Sequence, residues 1–188
     1  VVATALILER FYQLRKPLIA PVGLLENVLM KLETQGPHAF NTQALRSHSA
    51  LGAVLSATLV AFCESPNADE QNLRAEIEDR GRAIARELEK HQSTLSTIAS
   101  AAPLLGLFGT VVGMIDIFGS QSGLNSNPAQ LAHGISTALY NTAFGLLIAI
   151  PTLICWRYFR NKIDDFVLVL ESSGSMLLKA LLKTQHSL

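Results

Sequence analysis

From Leu95 to Trp156 the chain carries no lysine or arginine, and Asp116 is its one acidic residue. A helix on the surface of a soluble domain needs a polar outer face, so a stretch this long without charge belongs to helices that meet lipid or one another. Crossing a hydrocarbon core takes about 20 helical residues. The stretch divides into two such lengths, residues 95–118 and 131–156, joined by residues 119–130, which are rich in Gly, Ser, Asn and Gln. The composition, 49% apolar and 16% charged, is less informative than this uneven placement. It predicts an all-α, polytopic membrane protein.

The flanks orient it. Arg157, Arg160 and Lys162 follow the 131–156 segment, whereas the 119–130 connection has no positive charge. Cytoplasmic ends attract Lys and Arg, which puts 119–130 outside and the charged flanks inside. Residues 1–12 start with the apolar run Val1–Leu8 and close on Tyr12, Arg15 and Lys16. They read as the last turns of a first span whose beginning precedes the chain. Residues 13–94 form a cytoplasmic helical region, and residues 157–188 a cytoplasmic helix continuing the span before it.

Within 13–94 the punctuation predicts a short amphipathic helix over 24–33, stopped at Gly36-Pro37, and a second over 42–64. The apolar centre of the second, Leu51 to Cys63, is too short to span and is expected to be buried against other helices. Ser65-Pro66-Asn67 reads as a turn with Asn67 as a helix cap. The charged stretch 69–90 carries the opposite-sign pairs Glu76/Arg80 and Glu78/Arg82 at i,i+4 spacing. With no terminator between Lys90 and Leu95, this helix is expected to run on into the span.

The remaining chemistry is narrow. Net charge is zero, which gives no electrostatic reason to expect nucleic acid. Cys63 and Cys155 lie in different kinds of segment and are expected to be unpaired fillers. No HExxH, GxSxG, phosphate loop or Cys/His cluster is present, so neither an enzyme nor a metal or cofactor site is expected. Gly106, Gly109, Gly113 and Gly145 sit inside the spans, where small residues let helix backbones approach closely. Thr110 lies mid-span in the first of them. Thr137, Asn141 and Thr142 lie in the outer half of the second, with Thr137 and Asn141 on one face and Thr142 roughly 100° round.

Two readings of those polar groups stand. A hydroxyl donates and accepts at once and can relay a proton or orient water; it can equally bond back to its own helix. Neither role lets it hold a charge. Asp116 and His133, near the outer ends, read as an entry-side acid and a pH-sensitive gate, or as solvated end residues.

Two strings carry a resemblance. Residues 102–114, APLLGLFGTVVGM, are similar to the second-helix signature of the TolQ/ExbB/MotA proton-channel family. Residues 134–151, GISTALYNTAFGLLIAIP, resemble its third-helix signature. With the Leu8-Glu9-Arg10 exit of the first helix, the resemblance covers essentially the whole chain. It implies a three-span subunit of the bacterial inner membrane, five copies of which surround the single spans of an ExbD- or TolR-like partner. That partner supplies the essential intramembrane Asp, and the pair transmits work to the envelope, with a TonB- or TolA-like protein as a further associate. Thr110, Thr137, Asn141 and Thr142 would face the partner. Many members have Glu where Thr137 stands; flagellar stator proteins do without it. The departure argues against a mechanism in which this subunit itself ionises, and leaves a non-conducting scaffold of the same fold as the alternative.

Overall fold

A computed structural model describes residues 1–64, 70–120 and 128–185. Among the described residues the chain is helical, with no strand. The elements are α1 (Val2–Gln13), α2 (Lys16–Ile19), α3 (Leu24–Gln35), a 3₁₀ turn (Pro37–Ala39), α4 (Thr42–His48), α5 (Ala50–Glu64), α6 (Glu70–Leu88), α7 (Gln92–Ser120) and α8 (Pro128–Gln185). The turn and cap expected at 65–67, and most of the 119–130 connection, lie outside the described residues. The chain divides into two compact units, one of Val1–Glu9 with His91–Phe159, the other of Arg10–Lys90 with Arg160–Leu188.

The second unit has a water-soluble kind of core. Its centre is α5, where Leu51, Val54, Leu55, Leu59, Ala61 and Phe62 are buried together with Val28, Leu32, Leu73, Leu170, Leu177, Leu178 and Leu181. Each large side chain removed from water in this way contributes roughly 1.5–3 kcal/mol. The apolar helix too short to span is therefore a core helix, as its length requires. Along α8, Ile163, Phe166, Leu170, Ser173, Leu177 and Leu181 are buried at steps of three or four, one continuous stripe. On α6 the pairs Glu76/Arg80 (2.5 Å) and Glu78/Arg82 (3.5 Å) form as the spacing predicts, and Arg74 pairs with Glu70 at 2.7 Å. Glu76/Arg80 is half-buried and the other two pairs are exposed, and each is worth a few tenths of a kcal/mol.

Two boundaries differ from expectation. The helix expected over 42–64 is split at Ser49, whose backbone is extended (φ −169°, ψ 164°). Its hydroxyl accepts from the Gly52 N–H at 3.0 Å, so serine starts α5 instead of continuing α4. The charged helix does not run on into the span. It ends at Leu88, Lys90 N–H bonds to Glu87 O at 3.3 Å, His91 turns to φ 66°, and α7 begins at Gln92. By contrast, α8 continues without a break from the apolar segment into its charged end.

In the first unit α7 and α8 are buried in a different way. Only 11% of the most apolar window of α7, and 22% of that in α8, is buried, although both helices are long and apolar enough to cross a membrane. Leu104, Leu105, Leu107, Phe108, Val111 and Ile115 of α7 are exposed, as are Leu139, Phe144, Leu147, Ile150 and Ile154 of α8. Side chains of this kind facing outward along α7 and the apolar part of α8 suit hydrocarbon or neighbouring spans, not water. The twelve residues of α1 fall short of the same test, so two candidate spans stand in the structure where three are expected.

Glycine positions separate the tight places from the open ones. A Cβ added at Gly81 meets nothing within 4 Å, whereas one at Gly52 falls against the carbonyl oxygen of Leu45. Gly81→Ala is expected to stabilise the protein by about 0.5–1 kcal/mol. Gly52→Ala is expected to destabilise it by about 1–3 kcal/mol. Denaturation of the detergent-solubilised protein followed by circular dichroism measures both signs.

Candidate functional site

The seam between α7 and α8 is built around glycines. A Cβ on Gly106 would lie 2.8 Å from Asn141 O, 3.1 Å from Thr142 Cα and 3.2 Å from Gly145 Cα. One on Gly145 would lie 2.7 Å from Ala102 O. Further along, Gly109 faces the Asn141 side chain (3.0 Å to its Cβ), Gly113 faces Ala138 (3.1 Å) and Gly134 faces Ile117 (2.8 Å). As numbers rise on α7 they fall on α8, so the helices run antiparallel. Gly106 and Gly145 meet backbone atoms of the facing helix, whereas Gly109 meets the Asn141 side chain and Gly113 the Ala138 methyl. Without a hydrophobic force between spans in lipid, such close van der Waals contact is the main attraction available.

The polar residues sit on and beside this seam. Thr110 is one turn beyond Gly106 on the same face and is 9% exposed. Its hydroxyl donates to Leu107 O at 2.6 Å. Thr142 is half-buried where Gly106 comes closest, and Asn141 packs on Gly109 while the rest of its side chain stays exposed. Asn141 also lines a shallow groove with Leu105, Gly109, Phe144 and Ile148. The structure thus places Asn141 and Thr142 on the seam, with Thr110 buried one turn beyond Gly106 on α7. Thr137, a turn outward from Asn141, is exposed and donates to His133 O at 2.9 Å.

These local bonds are the self-satisfied geometry open to any helical threonine. They occupy the donor and leave the oxygen able to accept. No Lys, Arg, Asp or Glu stands in this stretch, so the seam can solvate or pass a proton but cannot retain one. Asp116 and His133, toward the outer ends, are exposed.

Thr152 and Arg10 are among the buried polar residues that escape sequence reasoning. Thr152, 1% exposed, donates to Ile148 O at 2.7 Å on the same stripe as Ala138, Gly145 and Ala149. Extending that stripe by steps of three and four would have found it. Arg10, 2% exposed, carries no comparable signal. Both cysteines are free. Burial, with a smaller push from the Glu64 carboxylate, raises the Cys63 thiol above its ordinary range, which suits a filler more than a nucleophile.

Residues 38–172 match the MotA/TolQ/ExbB proton channel family, a range that takes in α7 and the apolar part of α8. The chain belongs to this family. It is 30% identical over 179 residues to the biopolymer transport protein ExbB-like 3 of Synechocystis, covering 93% of this chain and 83% of that one. It is 36% identical over 91 residues to the biopolymer transport protein ExbB of Salmonella typhimurium, covering 48% of this chain and 37% of that one. With the Tol-Pal system protein TolQ of Haemophilus influenzae it shares 33% over 121 residues, 56% of this chain and 53% of that one. The chain therefore spans most of the Synechocystis relative and about a third to a half of the other two. Membership in a membrane proton-channel family accounts for apolar faces that water would not tolerate.

The antiparallel register is directly testable. In a Cys63→Ala, Cys155→Ala background, cysteines at Gly113 and Ala138 are expected to form an intrachain disulfide on mild oxidation, because their Cβ atoms come near bonding separation. A pair at Gly113 and Thr152 is expected to stay reduced, the second position lying about 21 Å further along the helix. Mass spectrometry of the digested protein distinguishes the two.

Proposed function

We propose that this chain is the multi-span subunit of a proton-driven machine of the bacterial inner membrane, working with a one-span ExbD/TolR-like partner. The observation that carries the reading is the seam itself. Asn141 and Thr142 lie where two apolar helices touch at Gly106 and Gly109, Thr110 is buried one turn beyond Gly106, and no group among them can ionise. A carboxylate on the partner's span would supply the titrating group, and these hydroxyls and the amide would solvate it or hand it a proton. The chain acts as a channel and motor part, not as an enzyme.

In this reading α1 is the cytoplasmic end of a third span, and the 119–130 connection faces the periplasm. The exposed apolar faces of α7 and α8 meet lipid, the partner and further copies of the chain in a homopentamer. The work delivered is envelope work such as energising TonB-dependent import, through a TonB- or TolA-like protein. A non-conducting scaffold of the same fold is the second reading. The observation on its side is that Thr110 and Thr137 already spend their hydroxyl protons on their own helices.

Near-isosteric substitutions separate the two. Thr110→Val and Thr142→Val preserve packing while removing the hydroxyls. Each is expected to lower partner-dependent envelope work by about tenfold or more, the order of one lost hydrogen bond at a transition state, with assembly intact. Thr137→Val is expected to be milder, and Thr137→Glu to be tolerated. Wild-type work with Thr110 and Thr142 both changed to Val would refute the relay and favour the scaffold.

A further inference from the structure

Gly106 and Gly145 close the seam between α7 and α8: a Cβ added at Gly106 would lie 3.2 Å from Gly145 Cα, and one at Gly145 3.1 Å from Gly106 Cα. No group reaches through such a contact, so the helix pair has two separate flanks. Successive helical residues project about 100° apart. Leu105 and Leu107 therefore leave α7 on opposite sides of Gly106, and Phe144 and Leu146 leave α8 on opposite sides of Gly145. Leu105 and Phe144 line one groove together, with Gly109, Asn141 and Ile148. Leu107 and Leu146 belong to the other flank. Thr110 and Thr142 lie on that other flank too, about 40–60° round from the glycines. Thr110 borders a recess there with Val111 and Met114, which includes neither Asn141 nor Phe144.

The two flanks also differ in what they have left to donate. Thr110 spends its proton on Leu107 O. Among the described residues, no hydrogen bond engages the Thr142 hydroxyl or the Asn141 amide. Asn141 is exposed beside Leu105, Phe144 and Ile148. Its amide holds two donors and an acceptor, and lipid satisfies none of them. Polar groups at membrane depth face a bundle interior or pair with one another. An ionised carboxylate is an acceptor only and takes several donors at once; the threonine flank has one free donor to give it.

We infer that the proton-handling site is shared between adjacent copies of the chain: Thr142 of one copy and Asn141 of the next converge on one carboxylate of the partner's span. The inference rests on the function proposed above. A contact between two different surfaces closes into a ring when the rotation permits, so each boundary sets a threonine flank against an amide flank. One copy cannot offer both to a single carboxylate, because the helix pair stands between them. With the carboxylate ionised, the Asn141 N–H groups and the Thr142 hydroxyl donate to it. With it protonated, its O–H donates to the Asn141 carbonyl oxygen or the Thr142 oxygen.

Two measurements on the full chain with its partner test this. In the first, copies with Thr142→Val and copies with Asn141→Leu are expressed together under different affinity tags, and assemblies holding both are placed in vesicles. Each variant alone is expected to lower partner-dependent proton flux about tenfold, because no boundary keeps both groups. In an equal mixture about one boundary in four joins an intact Thr142 to an intact Asn141. Flux is then expected to recover to about a quarter of the wild type, above either variant alone. If Asn141→Leu fails to assemble, Asn141→Ala takes its place. In the second, Leu107→Cys copies are mixed with Phe144→Cys copies in a Cys63→Ala, Cys155→Ala background and treated with a short bifunctional thiol reagent. The two positions lie level, since Gly106 meets Thr142 and Gly145, but on opposite flanks. A dimer bearing both tags is expected, and none from either copy alone.

Flux in the mixture no higher than in the single variants overturns the shared site. So does wild-type flux with Asn141→Leu alone, or the absence of a dimer bearing both tags. A wild type that conducts no protons with its partner present refutes the proposed function instead, and the crosslink still decides whether the two flanks meet.

Discussion

Gly106 and Gly145 let two helix backbones touch, and the apolar pair depends on that contact. In hydrocarbon every backbone N–H and C=O must be satisfied within its own helix, and apolar side chains gain nothing by leaving lipid for one another. What can hold two such helices in one register is close packing. Any side chain at Gly106 would drive into Asn141 and Thr142, and one at Gly145 into the carbonyl of Ala102. The same absence of bulk brings the mid-helix polar residues to the seam. Packing and candidate chemistry therefore share their residues, and a bulky change here would be felt in both.

The two units answer to different solvents. Around α5, leucines and a phenylalanine are turned inward among other helices, as water requires. In α7 and the apolar part of α8, leucines and phenylalanines face outward while small and hydroxylated residues face the seam. One helix, α8, serves both: its buried stripe runs from Ala138, Gly145, Ala149 and Thr152 to Phe159, Ile163, Leu170, Leu177 and Leu181 at the same spacing. The stripe changes from small residues to large ones along its length. That change follows from close backbone contact in the apolar part and side-chain filling in the charged part.

Much of this was legible from residues alone, and the exceptions share a cause. Charge placement located the two long apolar helices, because lipid excludes Lys and Arg without regard to local detail. Glycine spacing located the seam for a similar reason. The helix breaks at Ser49 and His91 were not legible. Serine is an ordinary helix residue until its hydroxyl caps a neighbour, and nothing about His91 announces a positive φ. Arg10 donates to Leu88 O and Lys90 O, and a partner far away in sequence leaves no periodic trace. At the seam, Thr110 and Thr142 stood out by depth and by resemblance. Thr152 was not singled out, although steps of four and three from Gly145 through Ala149 lead to it. Which way the hydroxyls donate was open in principle, and the local helix carbonyls took them.

The central claim is that a seam with no ionisable group conducts only when a partner brings the carboxylate. Proton uptake into vesicles under an imposed potential, with this chain reconstituted alone or with its one-span partner, tests it most directly. The account predicts no flux above that of empty vesicles for the chain alone, and gradient-dependent flux with the partner present. Equal flux in both preparations would contradict it, and so would none in either at full assembly.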